Sequence, residues 1–216
     1  MKSYLFRLLR AAFGLFCCAF GIHLTVQANI GLAPWDAFAM GLSYHLPISY
    51  GTAMMWISLL ILIADVLLRE HIGIGTLLDA VLVGQALNLF EALNFVPRQT
   101  HPLAGAAMMI VGMFILAYFQ FVYMSAGLCC GPRDALLVGL GRRFPKVPIG
   151  AVNAVQLGCV LAAGALLGGP IGFGTLLSVV GMGASMQLVF RWLHFDPRSV
   201  RHEGFAELLL HHHAKA

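Results

Sequence analysis

The stretch Gly131-Pro132-Arg133-Asp134-Ala135-Leu136 sets a cation beside an anion in a chain of 216 residues that is 60% hydrophobic and 10% charged. Ninety-eight residues earlier the chain reads Ala33-Pro34-Trp35-Asp36-Ala37-Phe38. Proline, aspartate and alanine recur in the same places, and the residue between proline and aspartate changes from tryptophan to arginine. The match extends outward from both stretches. At an offset of 98, Gly14 falls on Gly112, Gly41-Leu42 on Gly139-Leu140, and Pro47 on Pro145. One extra residue then enters the second copy. At an offset of 99, Gly51 falls on Gly150, Gly84 on Gly183, and Gly73-x-Gly75-Thr76-Leu77-Leu78 on Gly172-x-Gly174-Thr175-Leu176-Leu177. Order is kept over about 80 residues per copy, which is the mark of an internal repeat.

A soluble domain carries about 25% charged residues, far more than this chain. Mean hydropathy is +0.86. Several apolar runs reach the roughly 17–25 residues that cross a bilayer as a helix. They are continuously apolar rather than alternating, which excludes a barrel. The first run, 11–30, is long and lacks an Ala-x-Ala site, so it reads as a retained helix rather than a cleaved signal. The expected fold is all-α: a polytopic membrane helix bundle of two repeats, 1–98 and 99–195, followed by a polar cytoplasmic tail, 196–216.

Each copy reads as four segments. In the first they are 11–30, 34–46, 50–69 and 75–93; in the second, 104–126, 132–144, 148–168 and 174–192. The second segment of each copy holds about a dozen residues, roughly 18 Å of helix, against a hydrocarbon core of about 30 Å. These two read as re-entrant or interfacial half-helices. Three crossings per copy then set the copies in opposite orientations. With the N-terminus cytoplasmic, Lys2, Arg7, Arg10, Arg69, Arg133, Arg142, Arg143 and Lys146 face the cytoplasm and only Arg98 lies outside, a positive-inside pattern. If the short segments span instead, the copies are parallel and the charges separate almost as well; segment length decides for inversion. The net charge of +4 therefore sets membrane orientation and is no nucleic-acid signature.

Proline at the first helical turn and an acid just after it read as helix capping at Pro34-x-Asp36 and Pro132-x-Asp134. The functional reading is that two half-helix starts meet at mid-depth around a solute, as in inverted-repeat transporters. Gly73 to Asp79 reads as a turn, with Thr76 capping the next helix and Asp79 closing a capping box. Gln85, Asn88 and Glu91 share a helix face, and Asn88 matches Gln187. Asn153 and Gln156 share another, and so do His23 and Gln27. Such groups either bond helix to helix or line a path. The candidate substrate-binding residues are Asp36, Arg133, Asp134, Asn88, Gln187, Asn153 and Gln156.

Cys17, Cys18, Cys129, Cys130 and Cys159 have neither metal spacing nor the pattern of a disulfide framework. His211-His212-His213 reads as solvated tail. No Gly-x-Ser-x-Gly, His-Glu-x-x-His or Walker-type loop occurs. Neither catalysis, a cofactor nor a metal is expected.

Gly127-Leu128-Cys129-Cys130-Gly131-Pro132-Arg133-Asp134-Ala135-Leu136, followed by Leu167-Gly168-Gly169-Pro170-Ile171-Gly172-Phe173-Gly174-Thr175, resembles the YczE/YitT-type family of bacterial integral membrane proteins. Gly31-Leu32-Ala33-Pro34-Trp35-Asp36 resembles that family's first-half motif. The resemblance runs to about Trp192 and implies a bacterial inner-membrane protein; it implies no settled activity. Where such relatives carry charged residues early in the seventh segment, this chain has Asn153 and Gln156.

The functional expectation is a small secondary transporter or channel for a small polar or charged solute, embedded in the lipid bilayer with both termini cytoplasmic. The alternative is a non-transporting membrane subunit or regulatory partner, in a homo- or hetero-oligomer. An intramembrane enzyme using His23 or the aspartates ranks last, since no nucleophile–base spacing supports it.

Overall fold

The computed structural model describes residues 2–70, 72–128 and 130–196. Among the described residues eight helices follow one another: α1 (Lys2–Gln27), α2 (Pro34–His45), α3 (Tyr50–Leu67), α4 (Ile74–Leu93), α5 (Pro102–Met124), α6 (Pro132–Arg143), α7 (Ile149–Leu166) and α8 (Phe173–Trp192). No strand occurs among the described residues. Six helices are long and apolar enough to cross a membrane; α2 and α6, with 12 residues each, are not. Cys129, His211-His212-His213 and the tail beyond Asp196 lie outside the described residues.

α1 and α5 form the centre and run antiparallel. Arg7, near the start of α1, donates through Nε to the Ala126 carbonyl at 2.7 Å and through Nη2 to Gly127 at 3.1 Å, just past the end of α5. The cation thus sits where a helix C-terminus leaves carbonyls free. Midway, the Cys18 thiol faces the Leu116 carbonyl at 3.7 Å. Gly21 and Gly112 lie backbone to backbone: a Cβ on either would stand 2.9 Å or 2.8 Å from the other's carbonyl oxygen. At the far end, Gly105 lies against the Ala28 carbonyl. Small residues permit this approach, which is what drives helix association in lipid.

The other helices are arranged around this pair. α4 packs on α1 and α8 on α5; α2 packs on α7 and α6 on α3. Two backbone hydrogen bonds tie helix starts to distant segments. Gly75 N–H donates to the Leu128 carbonyl at 2.9 Å, and Gly174 N–H to the Ile30 carbonyl at 2.7 Å. Gly75 and Gly174 are 99 positions apart, and Ile30 and Leu128 are 98 apart. The largest buried cluster, with Leu15, Met54, Leu87 and Leu128 at its heart, lies among α1, α3, α4 and the lead-in to α6.

Two capping expectations are corrected. Pro34 and Pro132 do begin their helices, but neither α2 nor α6 has a side-chain cap hydrogen bond. Asp36 is drawn away by a tertiary partner, described below. Thr76 caps α4 from the third helical position, not from the N-cap. Gly73 is the cap residue, and Thr76 lies one turn in. Its hydroxyl accepts from Gly73 N–H at 3.3 Å and donates to the Cys130 carbonyl at 2.9 Å. Asp79 is left free of capping and takes another place.

Candidate functional site

The starts of α2 and α6 meet. Arg133, the second residue of α6, lays its guanidinium over the ring of Trp35, the second residue of α2, with 5.3 Å from the guanidinium carbon to the ring centroid. Trp is the strongest cation–π partner, and the interaction is worth about 0.5–2 kcal/mol depending on desolvation. Nη2 of Arg133 also lies 2.7 Å from the Met54 sulfur, on α3. A thioether is a weak acceptor. Among the described residues no carboxylate comes within ion-pair distance of this half-buried cation. Asp36, Asp79 and Asp134 nevertheless all interact with it electrostatically.

Asp36 is 6% exposed and accepts a hydrogen bond from the Tyr50 hydroxyl at 3.0 Å. Asp79 and Asp134 line a chamber of about 160 Å³ together with Arg133. Its other walls are Leu15, Cys18 and Ile22 of α1, Leu116, Gln120 and Tyr123 of α5, Ser58 of α3, Val83 of α4, and Gly131. Cys18 and Leu116 mark the crossing of α1 and α5, so the chamber lies at mid-length of the two central helices. The Asp79 carboxylate packs directly on Gly131, the residue before α6.

A larger, more open cavity of about 600 Å³ lies toward the C-terminal end of α1. His23, Gln27, Ser43, Tyr44, Ser49, Tyr50, Glu91, Asn94 and Arg98 line it. Tyr50 thus faces this vestibule while its hydroxyl holds Asp36.

Of the residues singled out from sequence, Arg133 and Asp134 line one chamber, Asp134 being an exposed residue, and Asp36 lies within electrostatic reach of Arg133. Asn88 lies elsewhere, bonded between α3 and α4: its Nδ2 donates to Thr52 Oγ1 at 3.1 Å, and its Oδ1 accepts from Ser49 Oγ at 2.7 Å. Gln187 is exposed on α8. Asn153 is half-buried on α7. Gln156 lines an otherwise apolar groove of about 450 Å³ between α6 and α7 that reaches Trp35. Its Oε1 is buried without a hydrogen-bond partner. His23 and Gln27 share the vestibule with Glu91, whereas Gln85 bonds the Met55 sulfur at 3.4 Å.

Sequence reading missed Asp79, Tyr50 and Met54. Only Asp79 left a trace, since its matched position holds Ser178. It also missed Asp65, which is 0% exposed with neither carboxylate oxygen hydrogen-bonded.

A family model described as a family of unknown function, DUF6198, matches residues 5–191, nearly the whole bundle. The chain belongs to this family. Among similar proteins, the uncharacterized membrane protein YczE of Bacillus subtilis is 34% identical over 173 residues, 79% of each chain. An uncharacterized protein of Haemophilus influenzae is 27% identical over 175 residues, 81% of this chain and 79% of that one. The uncharacterized protein YyaS of Bacillus subtilis is 27% identical over 183 residues, 82% of this chain and 88% of that one. No solved structure matches. The match and the six apolar helices make this a multi-pass membrane protein.

Proposed function

We propose that the protein is a small secondary transporter or channel that moves a small cation or zwitterion through the Arg133–Asp134–Asp79 chamber. The observation that carries the reading is the meeting of Trp35 and Arg133, the second residues of two short helices, beside a charged chamber. Ionisable groups inside a membrane bundle are costly and belong to ion or substrate pathways by default. Two carboxylates and one guanidinium line the chamber, so a cation balances the charge, and a zwitterion would pair its carboxylate with Arg133 and its ammonium with an aspartate. The volume suits a small solute: a water takes about 30 Å³ of liquid.

The architecture behind this is two inverted repeats, residues 1–98 and 99–195, each of three crossings and one re-entrant half-helix. Antiparallel α1 and α5 support it, as do the matched bonds Gly75–Leu128 and Gly174–Ile30. Interrupted helices meeting at the repeat interface are the usual place for a transporter site. The positive-inside pattern of the basic residues supports cytoplasmic termini, and the likeness to a bacterial membrane protein supports a bacterial inner membrane.

The test is flux in proteoliposomes across a panel of inorganic cations and zwitterionic amino acids, for the native protein and for Asp134→Asn and Asp36→Asn. Flux that Asp134→Asn abolishes supports the site. Flux that both variants retain unchanged removes it, and no flux for any solute removes the transport reading.

A further inference from the structure

The two halves differ at one matched place. Gly51 of α3 and Gly84 of α4 lie backbone against backbone, so that a Cβ on either would collide with the other's carbonyl oxygen. Ser49, Thr52 and Asn88 fasten the same contact with side-chain hydrogen bonds. The matched residues of the second half, Gly150 of α7 and Gly183 of α8, are both exposed and have nothing within 4 Å of a built Cβ. α3 packs on α4, yet α7 makes no comparable contact with α8.

The ends of α7 and α8 that join are firmly held. Gly164 and Gly169 lie on the backbone of Ala37 and Phe38, and Gly172 and Gly174 on that of Ile30 and Gly31. Toward its start α7 packs on α6, with Ile149 against Gly141 and Val152 buried, but its face at Gly150 and Gly158 has nothing within 4 Å. α7 is therefore held to α2 near Leu166 and to α6 near Ile149, and is unattached only toward α8. Two of the three fastening residues of the first half have no polar counterpart: Ser49 and Thr52 are matched by Pro148 and Ala151, and only Asn88 by a polar residue, Gln187.

We propose that α7 swings onto α8 through Gly150 and Gly183, reproducing the α3–α4 contact, and that this closed form is a second state of the protein. The inference rests on the two-repeat reading. It makes the α7–α8 cleft the moving gate and α3–α4 the fixed one, because only the latter is fastened by hydrogen bonds. On the orientation argued above, the gate opens on the cytoplasmic side.

The test is cross-linking in native membranes, in a background with all five cysteines replaced. Thr52→Cys with Asn88→Cys serves as the positive control, because those side chains already touch. Ala151→Cys with Gln187→Cys is the matched pair of the second half. On oxidation it is expected to form a disulfide within one chain, which needs Cα atoms about 4.4–6.8 Å apart. Adding Gly183→Leu is expected to leave protein abundance unchanged and to reduce that cross-link roughly tenfold by overpacking the closed contact. Absence of the within-chain disulfide, or a disulfide only between chains, overturns the inference; the second result makes this face an interface between copies. Cross-linking that Gly183→Leu leaves unchanged, or loss of that variant from the membrane, also overturns it. A protein that cross-links as expected but passes no solute keeps the gate and loses the transport reading, so the two fail separately.

Discussion

Arg133 and Trp35, which occupy matched positions 98 residues apart, touch each other at 5.3 Å from guanidinium carbon to ring centroid. On the proposed inverted arrangement, matched residues that touch lie on the axis relating the halves. The change from tryptophan to arginine at this one place turns a self-contact into a cation–π pair, which two tryptophans or two arginines would not make. Trp35→Ala removes the face on which Arg133 lies, at an expected cost of about 0.5–2 kcal/mol. A lower melting temperature in detergent is the readout. Trp35→Phe is expected to recover part of the loss.

Tyr50 and Asp36 make a second asymmetric test. Tyr50→Phe leaves a carboxylate that is 6% exposed without its donor, a loss of about 1–3 kcal/mol. Asp36→Asn keeps an acceptor for the Tyr50 hydroxyl and is expected to cost less. Thermal unfolding of the two variants side by side gives the order; equal losses would contradict the hydrogen bond.

Glycines of α1 and α7 should respond in opposite directions. A Cβ at Gly21 would stand 2.9 Å from the Gly112 carbonyl oxygen, so Gly21→Ala is expected to destabilise by about 1–3 kcal/mol. Gly158 has nothing within 4 Å, and Gly158→Ala is expected to gain about 0.5–1 kcal/mol from helix propensity. Membrane yield and melting temperature of both variants check this.

Asn88 tests whether a polar face lines a path or joins helices. Its amide is bonded to Ser49 and Thr52. Asn88→Ala is expected to lower stability by about 1 kcal/mol, the scale of one interhelical hydrogen bond in a membrane. Solute flux, measured in the same preparation, is expected to stay near native.

The helices themselves were legible because apolar run length is a strong signal: 34–46 and 132–144 from sequence against 34–45 and 132–143 in the structure. Pro34 and Pro132 set those starts locally. Local reading failed where two helices compete for one side chain. Thr76 suits either the cap or the first turn, and only the extended backbone at Gly73 decides. Once Thr76 moves inward, Asp79 turns from a cap to a chamber wall, against Gly131 on another helix. Asn88 and Gln187 share a pattern but not surroundings, because α3 packs on α4 and α7 does not pack on α8. Nothing local marks Met54 as the neighbour of Arg133.

The proposed transport site requires the two halves to be inverted, and topology labelling tests that without knowing the solute. Leu46 and Phe144 are matched positions, both exposed, just after α2 and α6. In a cysteine-free background, Leu46→Cys and Phe144→Cys would each be exposed to a membrane-impermeant maleimide in intact cells. With inverted halves, Leu46→Cys is labelled and Phe144→Cys is labelled only after the membrane is opened. Labelling of both from the same side would contradict that arrangement.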